Sequence, residues 1–204
     1  MVLSPFLPVA FPTETEAVLF GVAYWGWVAA EIAGSVILPY LRRRRDSVTM
    51  QRVDRGAGWP ITAALVASLL VAFWFSVNRI APLPGWTFFP GLAFMACGIV
   101  LRQWSIAILG RFFSTTVCIQ EGQCIVKEGP CRFIRHPSYS GSFLTLIGTG
   151  LCIRSFGALL VLVLIFAIVM GCRIRIEEQA LLANFGKEYE EYRKTTKRLI
   201  PFIF

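Results

Sequence analysis

An all-α, polytopic membrane protein is the fold class this sequence predicts, and three observations predict it. The 204 residues are 56% hydrophobic with a mean hydropathy of +0.64, above the roughly 45–50% apolar content of soluble domains. The apolar residues gather into long runs instead of alternating with polar ones, as in chains covered by lipid. The 20 Lys and Arg, set against 12 Asp and Glu, are concentrated in the gaps between the runs. A single domain over 1–204 with about five transmembrane helices is expected, 1–108 holding the N-terminal spans and 109–204 the polar, chemistry-bearing part.

Residues 1–16 are spaced by Pro5, Pro8 and Pro12 and lack a basic start, so no cleavable signal peptide is expected. Thr13 or Thr15 is placed to cap the first helix. That span covers about 17–41 and is broken only by Glu31; Arg42 to Arg45, Arg52 and Arg55 follow it. A second span, 60–78, opens on Pro60 at a first-turn position. The turn Pro82-Leu83-Pro84-Gly85 leads to a third, 86–109, which contains Arg102. Glu31 and Arg102 lie at similar depth, and charges inside a bilayer are paired or functional, so a structural ion pair is expected.

Residues 110–138 form the one long polar connection. The apolar run after it, 139–153, reaches only about 22 Å as a helix, short of a 30 Å hydrocarbon core. Arg154 to Gly157 turn the chain into a fifth run, 158–172, and a polar helical tail closes the sequence. Gly148-x-Gly150 has no strand before it, so it signals close helix packing and not a nucleotide loop. Of the 20 Lys and Arg, 17 lie in the loop after span one, the long connection and the tail. The positive-inside rule then puts those segments in the cytosol and the N-terminus outside. Six cysteines form no C-x-x-C pair and the chain has one histidine, so they are read as ordinary small residues; neither a metal nor a nucleic-acid partner is expected.

The densest chemistry lies in Gly129-Pro130-Cys131-Arg132-Phe133-Ile134-Arg135-His136-Pro137-Ser138-Tyr139-Ser140-Gly141, which holds the single histidine. A second polar cluster, Arg173 to Glu178, follows the last apolar run, so the two bracket a helical hairpin and meet at its open end. Taken alone, Arg173-x-x-x-Glu177 is an ordinary helical ion pair contributing roughly 0.3–0.5 kcal/mol.

Leu109-Gly110-x-Phe112, Val126-Lys127-Glu128-Gly129-Pro130 and Arg135-His136-Pro137-Ser138-Tyr139-Ser140-Gly141 together resemble the motif of the isoprenylcysteine carboxyl methyltransferases and their prokaryotic relatives. The tail is similar too: Arg173-x-x-x-Glu177-Glu178, Phe185-Gly186-Lys187-Glu188-Tyr189-x-x-Tyr192 and Arg198-Leu199-Ile200-Pro201. The resemblance covers roughly 109–204. It implies an integral membrane methyltransferase that uses S-adenosylmethionine, held at the cytosolic mouth of the last hairpin. By position in the motif, Gln123, Val126, Gly129, Arg135, His136, Pro137, Tyr139 and Glu178 would bind the cofactor, and Arg173 and Glu177 would be the catalytic pair. Two positions depart from the pattern: Gln123 stands where the family commonly has histidine, and Cys131 where it commonly has tyrosine.

Chemistry supplies an independent view of the same residues. Transfer from a sulfonium needs in-line approach and exclusion of water, so orientation can provide most of the acceleration. A carboxylate acceptor is ionised at pH 7 and needs no base. Arg173 is the natural fork for it. The acceptor implied is an isoprenylcysteine-like or other lipophilic carboxylate meeting the enzyme in the bilayer. An amine acceptor would instead require a base, with Glu177 the candidate. A phospholipid amine or small thiol, a sterol-type reductase, and a non-catalytic membrane scaffold or transporter are the alternatives.

Overall fold

A computed structural model describes residues 11–41, 50–52, 58–116, 118–120 and 122–199. Helix α1, Glu14–Ile32, is capped by Thr13, whose hydroxyl accepts from the Glu16 N–H at 3.2 Å. It continues through one wide π-helical turn, Ala33–Ile37, and is helical as far as Leu41, the last residue described before Met50. Then come α2, Gly58–Val77; α3, Phe88–Leu109; α4, Pro137–Cys152; α5, Phe156–Phe185; and the short α6, Lys187–Thr195. Apart from these, a three-residue antiparallel pairing joins β1, Met50–Arg52, to β2, Cys118–Gln120. The run Arg42 to Arg45 and Arg55 lie outside the described residues.

Among the described residues, four stretches are long and apolar enough to cross a membrane: Glu14–Leu41, Pro60–Val77, Gly85–Phe112 and Phe156–Phe185. Helix α4 has 16 residues, about 24 Å, and falls short of the hydrocarbon thickness as its sequence implies. Large apolar side chains face outward along the bundle, among them Val22, Trp25, Leu70, Trp74, Val100 and Ile168. The interior holds Phe20, Phe88, Met95, Leu162, Phe166 and Met170.

One difference from the sequence reading concerns α5. The apolar run of 158–172 and the first part of the polar helical tail form one continuous 30-residue helix. Arg173 to Leu182 is rich in strong helix formers, and its polar side chains find partners in the connection and tail, so nothing stops the helix before Gly186. Gly186, at φ 51°, supplies the left-handed residue that ends it.

Helices α3 and α4 touch backbone to backbone. A Cβ on Gly98 would meet the Gly141 carbonyl at 2.6 Å, and one on Gly148 would meet the Gly91 carbonyl at 2.5 Å. Gly150 likewise admits Leu159 of α5, whose Cα lies 2.9 Å from where a Cβ would sit. Helix packing is therefore the role of Gly148-x-Gly150.

The two ends of the bundle are different. At one, the Phe156 N–H donates to Ala81 O and the Leu83 N–H to Arg154 O, both at 2.8 Å, and Arg154 pairs with Glu16. The other end holds the β1–β2 pairing, the long connection and the tail. Inside the span region Glu31 and Arg102 form the expected ion pair, tying α1 to α3.

Candidate functional site

Gly129, at φ 52°, opens a tight 3₁₀ turn, Gly129–Arg132. The chain then runs beside the tail as a short parallel bridge: Arg135 N–H donates to Lys197 O at 2.7 Å, His136 N–H to Arg198 O at 3.1 Å, and Lys197 N–H to Phe133 O at 3.0 Å. Pro137 fits the first helical position of α4, where no N–H is needed. His136 precedes it as the cap residue, yet its side chain makes no cap. The imidazole is thus directed into the fold, with its side chain only 4% exposed.

There it borders a cavity of about 120 Å³. Gln123 and Val126 come to this cavity from the connection, Arg135, His136, Pro137 and Tyr139 from the motif, and Glu177 from α5. Leu109, Phe112, Phe113 and Leu181 supply apolar wall, and Tyr189 and Tyr192 reach in from α6. Seven of the ten residues singled out from the sequence are brought together here. The other three are not on its wall. Gly129 instead lines an apolar groove of about 630 Å³ on the outer face of the same segment, with Trp104, Phe133 and Phe143. Arg173 and Glu178 stand one layer behind the wall.

Arg173 is buried and donates from Nε to the Tyr139 hydroxyl at 2.8 Å and from Nη2 to Thr115 O. Tyr139 in turn donates to Glu177 Oε2 at 2.8 Å. The Arg173 to Glu177 relation is therefore carried through a phenol. The His136 ring lies parallel to Tyr139, 5.5 Å between centroids and 10° between planes. Glu178, 6% exposed, receives Arg135 Nε at 2.9 Å and Arg198 Nη2 at 2.9 Å. Arg135 further donates to Arg193 O at 3.1 Å and to Thr196 O. Two guanidiniums thus lock the tail and the motif onto α5 through one carboxylate.

Two buried polar atoms at the cavity, His136 Nε2 and Tyr189 Oη, have no hydrogen-bond partner among the described residues. His136 Nε2 stops 3.6 Å from Glu178 Oε1, beyond a good hydrogen bond. Leaving such a group unsatisfied costs about 1–3 kcal/mol, so a bound group that satisfies it is favoured. Burial pushes the Tyr189 hydroxyl well above its ordinary pKa, which keeps it a neutral donor. Cys131 is 2% exposed and burial pushes its thiol up to about 11, so it is a neutral wall residue and not a nucleophile. Its backbone carbonyl accepts from Tyr192 Oη at 2.6 Å. Tyr189, Tyr192 and Arg198 are among the residues at the site that sequence reasoning did not single out. The signal was available: the two tyrosines, three apart, occupy the one buried face of a helix that is otherwise charged.

The sequence model of the isoprenylcysteine carboxyl methyltransferase (ICMT) family matches residues 91–183, which take in most of α3, the connection, α4 and nearly all of α5. Through this segment the chain is similar to that family. The match starts earlier than the motif at Leu109 and takes in Gly91 and Gly98 of α3, against which α4 packs. A protein-S-isoprenylcysteine O-methyltransferase of Schizosaccharomyces pombe is 32% identical over 138 residues, 67% of this chain and 55% of that protein. A probable enzyme of the same name from Oryza sativa subsp. indica is 28% identical over 145 residues, 70% of each. The chain thus spans little more than half the length of the yeast relative. The solved structure of a eukaryotic intramembrane Ras methyltransferase, an isoprenylcysteine carboxyl methyltransferase, shares the fold, with a TM-score of 0.66 and 24% identity over 99% of this chain and 70% of that one.

Proposed function

We propose that this chain is a membrane-embedded methyltransferase that takes its methyl group from S-adenosylmethionine and delivers it to the carboxylate of an isoprenylcysteine-like or other lipophilic acceptor. The observation that carries the proposal is the cavity itself: the family motif wraps a partly apolar space bordered by His136 and Tyr189, each of which has a buried polar atom, Nε2 and Oη, without a hydrogen-bond partner among the described residues. A cofactor with a flat base, a ribose and a charged tail fits a wall that combines Leu109, Phe113 and Leu181 with Gln123, His136 and Tyr189. Gln123, Val126, Arg135, His136, Pro137 and Tyr139 would hold it; Glu178 acts behind them by fixing Arg135. When bound, the cofactor supplies an electrophilic methyl on a sulfonium.

The chain's own residues orient and exclude water. The string Arg173, Tyr139, Glu177 fixes the phenol between a cation and an anion, and the parallel His136 ring holds its plane. Arg173 places a permanent positive charge beside the wall, where an acceptor carboxylate would be drawn in and its charge balanced. No base is required for that acceptor. A hydrocarbon chain on it contributes about 0.8 kcal/mol per buried CH₂, which favours meeting the enzyme in the bilayer. By charge distribution the cavity end is cytosolic and the N-terminus is outside.

Calorimetric titration of detergent-purified protein with S-adenosylhomocysteine tests the proposal. Saturable binding is expected, weakened at least about tenfold, or about 1.4 kcal/mol, by His136→Ala. Absence of binding to well-folded wild type would refute it. Turnover of a carboxylate acceptor should change little between pH 6 and 8, since the nucleophile is already ionised. A steep rise over that range would point to an amine and to Glu177 as its base.

A further inference from the structure

We infer that Arg102, held by Glu31 and Ser35 of the first span, is a positioning residue for the catalytic cavity. The inference rests on the methyltransferase proposal only in naming what the cavity binds. A guanidinium has five N–H donors, and each of Arg102's has an acceptor. Nε faces Glu31 Oε2 at 2.5 Å; Nη2 donates to Glu31 Oε1 and to Ser35 Oγ at 3.1 Å; Nη1 donates to Ser138 Oγ at 2.8 Å and to Ser138 O at 3.2 Å. Ser35 Oγ also donates to Glu31 at 2.8 Å, closing the cluster.

What this cluster touches makes it more than an anchor. Ser138 lies between His136 and Tyr139 and itself borders the cavity. Arg102 therefore grips the first turn of α4 by a side chain and a backbone carbonyl at the point where that turn presents its two cavity rings. The grip reaches α1 through its single π-helical turn, Ala33–Ile37, and irregular turns of this kind recur at functional positions. Within it, Gly34 comes so close to α3 that a Cβ would lie 2.5 Å from Gln103 Oε1, while Gln103 Nε2 donates to Ala30 O at 3.1 Å. Helix α1 is thus docked on α3 at the depth of the cavity, although it lies outside the segment that matches the family.

Energetics point the same way. A buried ion pair is weak as a stabiliser, because desolvation offsets much of its Coulombic gain. The glycine contacts already hold α3 against α4. The ion pair adds direction: it fixes the rotation and height of Ser138, and with them the imidazole two residues before and the phenol next to it.

Two measurements on wild type, Arg102→Lys, Ser138→Ala and a remote control test this. Ser76→Ala serves as control; it removes a buried hydrogen bond to Ile153 O at the opposite end of the bundle. Lysine keeps the charge but loses the fork, so it cannot hold Glu31 and Ser138 together. Arg102→Lys should weaken S-adenosylhomocysteine binding about tenfold, a common size for coupling between sites. Ser138→Ala should have a smaller effect in the same direction. Hydrogen exchange of backbone amides in 137–142 should speed up in both variants and stay at the wild-type rate in the control. Wild-type affinity in Arg102→Lys and Ser138→Ala, with only a lower melting temperature such as the control shows, would overturn the inference. If wild type binds no S-adenosylhomocysteine, the methyltransferase proposal falls separately, and exchange in 137–142 alone decides whether Arg102 sets the turn.

Discussion

Tyr139 donates its hydroxyl hydrogen to Glu177 and accepts from Arg173, so one oxygen joins a cation and an anion. Tyr139→Phe keeps the ring that lies along His136 and removes only this bridge. It should cost about 1–3 kcal/mol of stability in a detergent melt, because both partners are left to rearrange in a largely dry site. Turnover should drop further, on the order of a hundredfold, if the bridge aligns the reacting groups, since small misplacements have effects of that size. A variant with wild-type turnover would reduce Tyr139 to a wall residue. At this scale the sequence was legible wherever chemistry leaves few options. Two opposite charges within apolar runs had to find each other, and Glu31 and Arg102 do. Glu178 was harder to read. Its placement behind the wall depends on Arg135 and Arg198, 43 and 20 residues away, and no local pattern reports such a convergence.

Helices α3 and α4 form the frame on which these side chains sit, and small residues set how close the frame closes. A Cβ on Gly141 would lie 2.7 Å from both Arg102 N and Gly98 O, backbone atoms that cannot swing aside. Gly141→Ala should therefore push the helices apart and destabilise the protein by about 1–3 kcal/mol or more. Gly171→Ala is the contrasting case: its Cβ meets nothing within 4 Å, so the melt should be unchanged or raised by up to about 1 kcal/mol through helix propensity. Equal effects of the two would sink the close-packing account. Elements were easier to read than their ends. Apolar runs and capping residues located the longer helices among the described residues, and Thr13 caps α1 as its position suggested. The end of α5 was not legible, because a drop in hydropathy at Arg173 marks where a helix leaves apolar surroundings and not where it stops.

Across the whole molecule, the β1–β2 pairing, the connection and the tail gather at one end, and the two short turns at the other. Among the described residues that division matches the division of charge, with the Lys and Arg of the connection and the tail together at the cavity end. Basic loops resist transfer across a membrane, so the proposed orientation puts the cavity end in the cytosol. A thiol label can test this directly. Cys124 is exposed and borders the cavity, Cys131 and Cys152 are buried, and Cys97 and Cys172 lie on membrane-spanning helices. With Cys97, Cys118 and Cys172 changed to alanine, Cys124 is the one exposed thiol left. A membrane-impermeant maleimide added to intact spheroplasts should fail to label it, and should label it after lysis. S-adenosylhomocysteine present during lysis should slow that labelling, because Cys124 lies on the wall of the proposed binding cavity. Labelling of intact spheroplasts would invert the orientation and place the cavity away from the cytosol, where the proposed methyl donor is made.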